Sequence, residues 1–135
     1  MKARNVTDRI LLKTIYEQYY AAYCSFTADN KCRESKIYVP IHCGEIAASL
    51  GMDPDIVFGR LYYNLDKKHR YTNENGSKVH LFALDVGEDR HTVHFPLLSA
   101  VLAELEQSYL RFTLPLAISV IALIASGAAL VLQIT

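Results

Sequence analysis

The longest apolar run in the chain lies at its end. Residues 112–135 read FTLPLAISVIALIASGAALVLQIT, 24 residues without a charged side chain. A helix crossing the hydrocarbon core of a bilayer needs about 20 mostly apolar residues at ~1.5 Å rise each, so this run predicts a single transmembrane helix. The alternative, a buried core helix, needs other structure to cover it on every side, and one small domain supplies little. Just before it, Leu98, Val101, Leu102, Leu105 and Tyr109 recur at helical spacing, with Glu104, Glu106 and Gln107 off the stripe. This pattern predicts an amphipathic connecting helix over 96–111 that opens at Pro96. Its first breaker is Pro115, so the helix is expected to continue into the span and bend there. Tyr109 and Phe112 are expected at headgroup level, and Arg111 marks the cytoplasmic side.

Upstream, Leu12, Ile15, Tyr16, Tyr19 and Tyr23 share one helical face, predicting a helix over 7–24 capped by Thr7 or Asp8. The tyrosines are read as core with hydroxyls at the rim. SFTADNKCRESK reads as a loop. KIYVPI reads as a short strand that Pro40 closes or holds at a sheet edge. EIAASLG is a short helix stopped by Gly51. Asp53 and Pro54 then start a second helix that turns Val57, Phe58, Leu61 and Leu65 toward a core. KVHLFAL and HTVHF are β-rich runs, with turns at NENG and VGED.

Helix, tight glycine turn and helix, followed by a β-hairpin, resembles the winged helix-turn-helix family. The resemblance covers about residues 7–95 and is carried mainly by EIAASLGMDPDIVFGRLYYNLDKK. It implies an α+β winged helix-turn-helix domain over 1–95, a connecting helix over 96–111 and a transmembrane helix over 112–135. In that family the second helix of the motif enters the DNA major groove and the hairpin touches the backbone. Carried onto this sequence, that places Asp55, Arg60, Tyr63, Asn64, Lys67, Lys68 and Arg70 near bases or phosphates, with Lys78 on the wing. The same face carries more tyrosine than arginine, which keeps a protein or nucleoprotein partner as the alternative.

Charge is balanced, with 14 Lys plus Arg against 14 Asp plus Glu, so no global basic excess marks a nucleic-acid binder. The cluster Lys67, Lys68, His69 and Arg70 is the local exception, and it is also what a solvated helix end looks like. Cys24, Cys32 and Cys43 form no CxxC pair, and with His42 they match no zinc spacing. His80 and His94 lie in the β-rich runs, where cross-strand pairing is the plain reading and a shared metal the sharper one. No nucleophile elbow, phosphate loop, HExxH or EF-hand pattern is present, so neither catalysis nor a cofactor is expected. The N-terminus has no uninterrupted apolar segment of the secretory type, which predicts a cytoplasmic domain on the inner face of the cell membrane.

Within the apolar run, Ser119, Ala122, Ser126, Ala129 and Gln133 are spaced 3, 4, 3, 4. Small and polar residues along one face are what helices use to associate in lipid, and this row is the expected seam of a homodimer. Together these features predict a single-pass protein, held in the bilayer, that acts by binding. DNA with transcriptional regulation is the first reading. A membrane effector of a bacterial defence or toxin-type system, its domain bound to a protein or nucleoprotein, is the second.

Overall fold

A computed structural model describes residues 4–134. Residues 1–3 of the expected domain and Thr135 of the expected span lie outside the described residues. The chain divides into two units, Met1–Leu102 and Ala103–Thr135.

In the first unit, α1 spans Asp8–Cys24, and the Thr7 side chain accepts from the Ile10 backbone N–H. Leu11, Leu12 and Ile15 are buried, while Tyr16, Tyr19 and Tyr23 are half-buried at the rim. The following segment is irregular, as expected, but Arg33 holds it in place. Its guanidinium donates to the carbonyls of Ala22 at 2.9 Å, Tyr23 at 3.2 Å and Lys36 at 2.8 Å. Two of those acceptors belong to the last turn of α1, where the Ala22 carbonyl also accepts from Ser25. Strand β1 (Tyr38–Pro40) follows. It pairs only with β5, so Pro40 sits on an edge strand, where its missing N–H is tolerated.

Helix α2 (Cys43–Leu50) ends at Gly51, whose φ of +68° is the left-handed conformation open to glycine. Asp53 then caps α3 (Pro54–Gly59) by accepting from the Asp55 N–H at 2.8 Å. The helix continues as a π-helical segment, π1 (Arg60–Leu65), and closes with α4 (Asp66–His69). Val57, Leu61 and Leu65 are buried as the pattern requires, and Phe58 is half-buried.

The β-rich region divides differently from the sequence reading. KVHLFAL is not one strand. It splits into β3 (Lys78–Val79) and β4 (Phe82–Val86). β3 pairs antiparallel with β2 (Tyr71–Thr72), forming a separate two-stranded ribbon around the NENG turn. β4 pairs with β5 (Asp89–His94), giving a three-stranded sheet of order β1-β5-β4. The cause of the split is Asp66, whose carboxylate takes the N–H groups of Leu81 and Phe82 at 2.9 and 3.2 Å. Donors spent on a side chain are lost to a ladder.

Helix α5 spans Phe95–Ile134, beginning one residue before Pro96. Phe95, Leu98, Val101 and Leu102 are buried in the first unit. In the second unit, Leu105 is half-buried and Tyr109 exposed. From Phe112 onward the helix carries no charge, and at ~1.5 Å per residue the 23 described residues to Ile134 span about 34 Å. None of its most apolar window is buried by protein. It is long and apolar enough to cross a membrane. Pro115 lies inside it, and local hydroxyls bond to the adjoining turns: Thr113 donates to the Tyr109 carbonyl at 2.7 Å, and Ser119 to that of Pro115 at 2.8 Å.

Candidate nucleic-acid interface

A π-helical segment leads into the end of the long helix. In it the backbone bonds reach five residues back, so the Asp66 N–H meets the Leu61 carbonyl. The consecutive residues Leu65 and Asp66 at its end are both buried. Asp66 then bonds across to the sheet. Besides the two backbone N–H groups, its carboxylate meets His80 Nδ1 at 3.1 Å and lies 4.0 Å from Arg70 Nη1. A buried carboxylate with this many donors is satisfied rather than reactive.

A groove of about 560 Å³ opens above this junction. Tyr62, Tyr63, Lys67 and Arg70 form its helical wall, and His80, Ala83, Leu84 and Asp85 its strand wall. Asp66 and Phe82, both buried, form its base. Tyr63 is 70% exposed, and its ring meets that of Tyr62 edge-on at 4.9 Å. Tyr62 stacks in turn on Phe58 at 5.6 Å, and Phe58 meets Phe82 edge-on at the same distance. The exposed tyrosine is thus backed by an aromatic column that reaches the core. Asp85 faces Arg90 at 3.8 Å with both side chains exposed, a contact worth little.

The residues singled out from the sequence separate into three groups. Tyr63, Lys67 and Arg70 converge on the groove. Asn64 and Lys68 are exposed on the same helix without lining it, and Lys78 reaches the same end through the ribbon. There Tyr71, next to Arg70, pairs with Val79, and Thr72 pairs with Lys78. Lys67, Lys68, Arg70 and Lys78 are all exposed, and Tyr71 is 50% exposed among them. Asp55 stands apart at the helix start. Arg60 turns inward: it donates to Asn5 Oδ1 at 3.0 Å, to the Val6 carbonyl, and to Asp8 Oδ1 at 2.6 Å. That contact ties the helix to the start of α1.

The histidines take other roles than the shared metal considered from sequence. His80 is bound to Asp66, whereas His94 Nδ1 accepts from the Leu97 N–H at 3.0 Å and caps α5. His42 caps α2 in the same way, accepting from the Glu45 N–H at 3.2 Å. Burial pushes the His94 imidazole below its ordinary value, and burial pushes the Cys43 thiol up. Tyr19 is raised, first by burial, and its hydroxyl bridges Glu45 and the His42 N–H. No group of three metal-binding side chains occurs among the described residues. On α5, Ser119, Ala122, Ser126, Ala129 and Gln133 are all exposed, and the Ser119 hydroxyl is directed to its own helix backbone.

Sequence reasoning missed Asp66, Tyr62 and Asp85. The only signal for Asp66 was an acid placed at the head of a cationic helix end. Comparison with protein families, curated proteins and solved structures finds no match for this chain.

Proposed function

We propose that this is a membrane-anchored nucleic-acid-binding protein whose first unit is a winged helix, with DNA as ligand and gene regulation as role. The observation that carries the reading is the shared groove of Tyr63, Lys67 and Arg70, with Lys68 exposed on the same helix and Tyr71 and Lys78 exposed in the ribbon that directly follows it. Cations neutralise phosphates, aromatic rings accept bases, and lysine is depleted at protein interfaces, so the combination supports a nucleic-acid ligand. With the β2–β3 ribbon taken as an insertion after the α3–π1–α4 helix, the order α1, β1, α2, long helix, β4, β5 and the sheet order β1-β5-β4 support the winged-helix plan. The apolar, unburied run of α5 supports residence in the bilayer, and Arg111 just before it favours a cytoplasmic N-terminal domain.

The test is fluorescence anisotropy of labelled mixed-sequence DNA with the full chain in detergent, at two salt concentrations. Binding should fall steeply with salt, with a log–log slope of about −3 on a single strand or about −4 on a duplex if four phosphates are neutralised. Lys67→Ala combined with Arg70→Ala should weaken it. No binding at low salt, or binding indifferent to both changes, refutes the reading.

A further inference from the structure

We propose that the groove beside Tyr63 receives an unpaired base, so that the nucleic acid this domain prefers is a single strand rather than a duplex; this rests on the nucleic-acid reading above. A duplex is read by a convex helix pushed into the major groove, which needs a cationic or polar leading face. The leading turn here presents Asp55 and Ile56, both exposed, and the carboxylate of Asp53 beside them. Arg60, the one cation of α3 and π1, is committed to Asp8 and the segment before α1. That face offers phosphates an acid and an apolar side chain.

The opposite end of the same helix is concave, aromatic and cationic. Its volume of about 560 Å³ lies in the range of small-ligand sites. Tyr63 offers an open ring face, and the edge-on contact with Tyr62 limits its orientation. Lys67 and Arg70 follow one and two turns along the helix, at the rim where the flanking phosphates of a stacked base would run. Across the groove, His80 and Asp85 offer polar atoms to a base edge. A paired base has its faces buried in the helical stack and cannot enter such a groove. An unpaired base has a free face, and stacking on an aromatic side chain tolerates any sequence.

The full chain in nanodiscs of zwitterionic lipid should be titrated against a fluorescein-labelled mixed-sequence 20-mer, single-stranded and as its duplex, at low salt. Zwitterionic lipid is chosen because anionic headgroups compete for the same cations. The single strand should bind about tenfold more tightly than the duplex. Tyr63→Ala should weaken single-strand binding about tenfold, and Tyr63→Phe should retain it. Both variants should keep the wild-type melting temperature, since the ring is mostly exposed. Equal or tighter duplex binding, or an unaffected Tyr63→Ala, overturns the single-strand proposal and leaves nucleic-acid binding standing. Binding of neither probe overturns both.

Discussion

Asp66 holds the strand wall of the groove against its helical wall. Its carboxylate accepts from Leu81 N and Phe82 N in a buried position, so β4 begins where the helix dictates. Truncation would leave two buried donors without a partner, each costing about 1–3 kcal/mol. Asp66→Ala should therefore destabilise the protein by about 2–5 kcal/mol in a urea titration. Asp66→Asn keeps one acceptor oxygen and should cost less; equal losses for the two would contradict the role given to the carboxylate. His94 sets a pH dependence. Its Nδ1 accepts from Leu97 N, so the folded state holds the ring neutral, and burial lowers its pKa. The folded protein then binds fewer protons than the unfolded chain, and stability rises with pH across that window. Full stabilisation is expected above the ordinary histidine value of about 6.5, with loss as pH falls toward the lowered folded value. In melts of the full chain in detergent, His94→Asn should keep a cap without titrating and flatten this part of the profile. An unchanged slope would remove His94 as its source.

At the scale of elements, the helices were legible because their signals are local. Thr7, Asp53, Pro54 and Gly51 stop and start helices by their own backbone and side-chain chemistry, and Val57, Leu61 and Leu65 repeat at helical spacing. Asp53→Ala should cost about 0.5–2 kcal/mol as a lost cap. Leu61→Ala should cost about 2–5 kcal/mol, because a cavity adds to the lost transfer energy. Equal and negligible effects in a denaturant series would refute the helix. The groove was less legible, because its parts meet through long-range contacts. The π-helical turn before Asp66 has no spacing signature, and the division of KVHLFAL depends on a carboxylate 15 residues before Leu81. The sequence places Tyr63, Lys67 and Arg70 on one helix; only the fold brings them into a groove with His80. Arg60 looked like the leading cation of that face, and only the position of Asp8 shows where its charge is used.

For the whole molecule, binding and anchoring are assigned to separate parts of the chain. The uncharged run of α5 predicts that the full protein stays with membranes through alkaline carbonate. A charge at its centre, Leu123→Arg, should cost roughly 2.5–3.5 kcal/mol of insertion and shift protein to the soluble fraction. Carbonate release of the wild type would contradict the anchor. If the chain holds a nucleic acid at a bilayer, vesicle flotation will show both at once. The full chain is reconstituted into zwitterionic vesicles, mixed with labelled single-stranded and duplex DNA, and floated through a density gradient at low salt. Labelled single strand should rise with the vesicles, and should stay at the bottom when Lys67 and Arg70 are both alanine. Vesicles that float with their protein while all DNA remains at the bottom would contradict it.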